Sequence, residues 1–148
     1  MDFALKDAPS FRVASITRVG PWKEDNLRAE FGELTRWARR HRVKTGRWIF
    51  VEGGNDRWEA CLEIQGRVAP EGRIRCRTIG ATRVARVVFD PDTVSSRIVY
   101  HALRDWTRWR RKEGTIRAVT GTREVYTGDP WNDPKAWAHC EVQFLVRT

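Results

Sequence analysis

Phe11-Arg12-Val13-Ala14-Ser15-Ile16-Thr17-Arg18-Val19 is rich in β-branched residues and runs into Gly20-Pro21, so it reads as a strand closed by a turn. Downstream, Leu27, Phe31, Leu34, Ala38 and His41 recur at spacings of three and four between about 25 and 42, the apolar stripe of an amphipathic helix. Arg28, Arg36, Arg39 and Arg40 fall off that stripe. After Gly46 the pattern predicts strands over 47–52 and 57–65, separated by Gly53-Gly54-Asn55-Asp56, which suits a hairpin. The first half is therefore β-α-β-β.

The same order returns in the second half. A strand is expected over 82–89, a helix from Thr93 to Lys112, and strands over 116–127 and 137–147. Individual residues repeat as well, roughly seventy positions on. Arg12-Val13-Ala14 returns as Arg83-Val84-Ala85, Leu34-x-x-Trp37 as Leu103-x-x-Trp106, and Glu63-Ile64-Gln65 as Glu141-Val142-Gln143. Neither βαββ unit is large enough to bury a sheet face alone. The expected fold is α+β: duplicated βαββ units, about 3–68 and about 72–148, forming one antiparallel sheet with two helices on one side and a central ligand cleft at the seam. Segment 66–81, with Pro70, Gly72 and Gly80, is read as the connection within a single domain spanning 1–148.

A length of 148 residues fits one domain. Lys and Arg number 28 against 19 Asp and Glu, a formal charge of +9, which favours association with polyanions without establishing it. No apolar run approaches the roughly 20 residues of a membrane span, and the N-terminal Met1–Asp7 lacks the pattern of a secretory signal. A soluble, cytoplasmic protein without membrane contact is expected. Cys61, Cys76 and Cys140 include no CxxC pair, and His41, His101 and His139 do not offer the spacing of a metal site or a nucleophile–His–acid triad. Neither a metal nor a cofactor is expected. The unusual figure is 8 tryptophans, more than a small core needs, which points to an aromatic cavity or surface.

Strand periodicity sorts the residues that can carry chemistry. On simple alternation, Ile116, Ala118, Thr120, Thr122, Glu124 and Tyr126 share one face, and Arg117, Arg123 and Thr127 the other. A carboxylate at Glu124 is then on the less charged side, where it is paired with an arginine or awaits a cationic or hydrogen-bonding ligand. Trp48, Phe50 and Glu52 share a face in one strand, and Trp58, Ala60, Leu62 and Ile64 in the next, so aromatics from both copies can line one cavity. Trp37 and Trp106 sit at helical spacing, which suits packing against a sheet better than ligand contact. The basic runs Arg36-x-x-Arg39-Arg40-x-Arg42 and Arg104-x-x-x-Arg108-x-Arg110-Arg111-Lys112 read as solvated faces near helix C-termini, with a nucleic-acid surface as the alternative.

Val19-Gly20-Pro21-Trp22, the helix Phe31-x-x-Leu34-x-x-Trp37 and Glu124-Val125-Tyr126, in this order inside a duplicated βαββ, resemble the GyrI-like family, also called the AraC-type or bacterial effector-binding domain. The resemblance spans essentially the whole chain. It implies a tandem of such units around a small-molecule pocket, as in the sensor half of multidrug-responsive regulators. Stand-alone members of that family include a DNA gyrase inhibitor and hydrolases of cyclopropane-bearing alkylating natural products. It also implies that Glu124 lies at the base of an aromatic-lined pocket facing cationic or polar ligands, with Tyr126 beside it and Trp22 at the aromatic site after the first strand. The first hairpin departs from the family pattern, with Glu52-Gly53-Gly54-Asn55 in place of an acidic-Pro ending.

The expected protein is thus a detached module binding flat aromatic or cationic molecules, without room for a DNA-binding helix-turn-helix. Its expected ligand contacts are Trp22, Trp48, Phe50, Trp58, Trp106, Glu124 and Tyr126. The alternatives are a hydrolase with Glu124 as the catalytic acid or base, Glu52 or Glu141 standing next, and a protein that binds DNA gyrase or DNA.

Overall fold

In the computed structural model, which describes Met1–Thr148, the chain order is β1 (Ala4–Ala8), β2 (Phe11–Val19), α1 (Glu24–Arg40), β3 (Thr45–Glu52), β4 (Arg57–Ile64), β5 (Arg75–Ile79), β6 (Thr82–Phe89), α2 (Ser96–Lys112), β7 (Ala118–Tyr126), α3 (Pro134–Trp137) and β8 (Cys140–Arg147). The fold is α+β, and every strand pairing within each unit is antiparallel. No helix is long and apolar enough to cross a membrane. The chain forms two units, one of Ser10–Gly80 and one of Met1–Pro9 with Ala81–Thr148.

In the Ser10–Gly80 unit the strand order is β3-β4-β2-β5. The β3–β4 hairpin closes through Asn55 and Asp56 at φ 60° and 55°, left-handed values that these two residue types tolerate best after glycine. Cross-strand pairs Trp48–Leu62 and Phe50–Ala60 place their side chains on one face, together with Ile16 of β2. Against that face α1 buries Leu27, Phe31, Leu34 and Ala38 of the expected stripe together with Trp37, whereas His41, just past the helix end, is exposed.

The second unit repeats the plan with the order β7-β8-β6-β1. Its core joins Ala85, Val87, Phe89, Val142, Phe144 and Val146 of the sheet to Val99 and Leu103 of α2. Four elements depart from expectation. Segment 66–81 contains β5, an edge strand on β2, and residues 4–8 form β1, an edge strand on β6. Both are short and charged, as edge strands usually are, so neither shows the apolar alternation that marks a central strand. α2 starts at Ser96 rather than Thr93, because Asp90 ties the intervening residues into a turn by accepting from the backbone N–H of Asp92 and of Thr93. Residues 137–139 are not strand: Asp133 caps the short α3, with Pro134 at its first position.

A β-bulge between Thr45 and Trp48 lets Gly46 lie against the Glu63 carboxylate, which a Cβ there would meet at 2.7 Å. Glu63 accepts from Arg47 at its backbone N–H (3.0 Å), Nε (2.9 Å) and Nη2 (2.9 Å), and the same guanidinium covers the Phe11 ring at 4.6 Å. The hydrogen bond from the Arg47 side chain holds the Glu63 carboxyl below the usual carboxylate range, against the opposing effect of burial. Its folded pKa is therefore below its unfolded one, so the stabilisation is present above the unfolded value of about 4.3 and is lost as pH falls through the folded one. Glu63→Gln is expected to cost up to about 1 kcal/mol near neutral pH, since the pair is partly screened, and progressively less as pH falls below the unfolded value, as urea unfolding across acidic pH would read out.

Candidate functional site

Between Val119 and Gly121 the pairing of β7 with β8 slips by one residue, leaving Thr120 as a bulge. The slip reverses the alternation. Ala118, opposite Arg147, is consequently not on the face of Glu124 as simple alternation predicts; Val119, opposite Val146, is. Thr122, Glu124 and Tyr126 do share a face, next to Phe144, Val142 and Cys140 of β8, and this is the side that α2 covers. On the opposite side Arg123 and Gln143 are 4% and 5% exposed and hydrogen-bonded to each other at 2.6 Å, Nε to Oε1.

Glu124 is half-buried on the α2 side, and its charge acts on two neighbours. Burial, then that charge, pushes the Cys140 thiol up to about 12. The same two causes, in the same order, raise the Tyr126 phenol far above its ordinary value. Both groups are neutral at physiological pH, so the wall around Glu124 supplies no thiolate nucleophile. The Tyr126 ring lies parallel to Trp137, centroids 6.5 Å apart at 4°, and Trp137 is held by its indole N–H donating to Asp92 Oδ1 at 2.9 Å. Tyr100 of α2 packs on Phe144 at 6.1 Å. Tyr100, Trp137 and Cys140 thus join Glu124 and Tyr126, although alternation alone does not single them out. For Trp137 the signal is Asn132-Asp133-Pro134, a helix start just ahead of the strand expected over 137–147.

Trp106, also an expected ligand contact, lies elsewhere in this unit. Its ring meets Phe3 at 5.8 Å, beside β1, and carries the Arg110 guanidinium at 5.2 Å. The four remaining expected contacts are in the Ser10–Gly80 unit. Trp22, 52% exposed, touches Phe50 (6.1 Å), which meets Trp58 edge-on (6.0 Å), a ladder leading from solvent to the buried face under α1. The Trp58 indole N–H is buried without a hydrogen-bond partner. Trp48 is stacked on Phe31 of α1 at 4.7 Å, a core contact. No three His, Cys, Asp or Glu side chains are grouped as metal ligands would be.

Two βαββ units, each with an added edge strand, make up the α+β fold, and the second unit sets a carboxylate among aromatic rings. The chain belongs to the family of GyrI-like small molecule binding domains, which matches residues 1–147, and it is therefore a small-molecule-binding domain. Among solved structures, EcmrR in its complex with DNA is 20% identical with a TM-score of 0.76, the alignment covering 99% of this chain and 57% of that one. This chain accordingly spans little more than half the length of EcmrR. The isolated C-terminal domain of EcmrR is 19% identical at a TM-score of 0.69, with 99% and 98% covered. SAV2435 bound to tetraphenylphosphonium is 7% identical at a TM-score of 0.57, with 99% and 94% covered. These likenesses establish the fold. No match was found among curated proteins.

Proposed function

We propose that this domain binds flat or aromatic small molecules carrying positive charge, with Glu124 as the anionic anchor and Tyr126, Tyr100 and Trp137 as its aromatic surroundings. The observation that carries this reading is a half-buried carboxylate on the α2 side of β7, flanked by a phenol and a thiol that both stay neutral. A cation brought to that carboxylate is attracted by its charge and by the faces of the neighbouring rings. The ring ladder of Trp22, Phe50 and Trp58 supplies a separate stacking surface, and Trp22 at its exposed end is the position to which we assign contact with flat rings. The tetraphenylphosphonium complex of SAV2435 supports the choice of a lipophilic cation as first probe.

Titration with tetraphenylphosphonium and with planar cationic dyes, followed by tryptophan fluorescence, tests the proposal. Saturable quenching is expected, with neutral molecules of the same shape bound about tenfold or more weakly, the scale of one charge-assisted contact. Trp22→Ala should reduce the quenching by planar dyes. Equal affinity for charged and neutral probes would overturn the assignment of a cationic ligand.

A further inference from the structure

α2 carries Arg104, Arg108 and Arg111 at spacings of four and three, which places all three on one stripe of the helix. That stripe overhangs the β7 face described above, at the end away from Tyr126. The three arginines, Thr107, Val119, Thr122 and Phe144 enclose a cavity of about 270 Å³. Its apolar floor is Phe144, 4% exposed, with the 37%-exposed Val119 beside it, and the three exposed arginines form a cationic rim.

Helix polarity explains only part of this charge. The stabilising field at a helix C-terminus reaches the last turn, which here holds Arg110, Arg111 and Lys112, whereas Arg104 lies two turns from the end. Nor do carboxylates neutralise the stripe. Arg108 has Asp105 at 4.0 Å, an exposed contact within the helix, and Arg104 and Arg111 form no ion pair. Elsewhere most arginines that reach a neighbouring element do pair: Arg47 with Glu63, Arg73 with Glu30, Arg77 with Glu59, Arg83 with Asp7. Three guanidinium groups gathered over an apolar floor repel one another until an anion sits between them, and forked N–H donors suit the oxygens of a phosphate, sulfonate or carboxylate.

We infer that this cavity is an oxyanion site for small molecules that join a phosphate, sulfate, sulfonate or carboxylate to an apolar body, the oxygens held by Arg104, Arg108 and Arg111 and the body seated on Phe144 and Val119. It is distinct from the Glu124 anchor but shares its strand: Thr122, on the cavity wall, precedes Glu124 by two residues, roughly 7 Å along β7. The face of β7 under α2 therefore runs from an acidic, aromatic end to a basic one. The recessed apolar floor favours a small molecule over the phosphate backbone of a nucleic acid, which would track an open stripe of charge.

The test is titration of the full chain with anilinonaphthalene sulfonate, followed by dye emission. Against the native chain, the double variant Arg104→Gln/Arg111→Gln should bind the dye at least tenfold more weakly. Arg39→Gln/Arg40→Gln, which removes the same charge from α1, should change affinity less than twofold, with circular dichroism confirming that both variants fold. Inorganic phosphate should displace the dye from the native chain, and phenylnaphthylamine, the same ring system without the sulfonate, should bind at least tenfold more weakly than the dye. Equal losses in the two double variants, failure of phosphate to compete, or equal binding of the uncharged ring system would each overturn the site. So would binding of a short DNA duplex through Arg104 and Arg111 in the absence of dye binding, which would assign the stripe to nucleic acid instead. The cation titration and this one use opposite probes, so either reading can fail alone.

Discussion

Trp37→Ala is expected to lower the free energy of unfolding by about 3–5 kcal/mol, the usual cost of emptying a fully buried aromatic position. Trp37 is 0% exposed at the end of α1, its ring 5.7 Å from that of His41, and it is the largest side chain in the molecule with no solvent contact. One detail sharpens the expectation: its indole N–H is buried with no hydrogen-bond partner. A buried unpaired donor costs about 1–3 kcal/mol, so Trp37→Phe, which deletes that donor along with part of the ring, should be far milder, within about 1–2 kcal/mol of the native chain. Guanidinium unfolding of both variants measures the difference. Comparable, large losses would mean that the indole itself, and not only its bulk, is required at this position, while a mild alanine variant would mean that α1 collapses into the space.

Glu124→Gln should leave the fold intact and weaken cation binding by about 5- to 150-fold, that is about 1–3 kcal/mol, the range for a charge-assisted contact in a partly desolvated site. The substitution keeps the shape and one acceptor oxygen, turns the other oxygen into an NH2 donor, and removes the charge. Affinity for a neutral ligand of the same shape should therefore change little, and it is this contrast that assigns the effect to the carboxylate. Unchanged affinity for every cation tested would remove Glu124 from the site. The same variant separates holding a ligand from turning it over. If electrophilic, cyclopropane-bearing compounds are hydrolysed, Glu124 is the ionisable group placed to act as acid or base, and its replacement should slow product formation by roughly 10²-fold or more, read by mass spectrometry. Recovery of such compounds unaltered, bound one to one, fits the binding module alone.

The order β-α-β-β in both halves was legible because each step rests on a local rule: β-branched runs ending at Gly-Pro or Gly-Asn, and an apolar stripe at helical spacing. The stripe on α1, Leu27, Phe31, Leu34 and Ala38, is the buried one, and the hairpin at Gly53–Asp56 turns where its residue types require. The face shared by Thr122, Glu124 and Tyr126 was legible for the same reason, since alternation holds from Gly121 onward.

Past that point local rules stop. Thr120 belongs to a bulge, which depends on how β7 registers against β8, and nothing in the residues 116–120 announces it. β1 and β5 exist because β6 and β2 each offer an open edge; their own sequences, Ala4-Leu5-Lys6-Asp7-Ala8 and Arg75-Cys76-Arg77-Thr78-Ile79, are too short and too charged to declare a strand. Trp106 and Trp37 occupy matching places in their helices, yet one meets Phe3 of the N-terminal segment and the other is sealed in a core. That difference is set by which element lies opposite. The sequence by itself determined the secondary-structure order, the helix faces and the residue types available for binding, because those follow from periodicity and turn chemistry. Only the tertiary structure decided that Trp137, Tyr100 and Cys140 share a wall with Tyr126 and Glu124, and that three arginines of α2 overhang Phe144, because contacts between residues distant in the chain depend on strand register and helix placement.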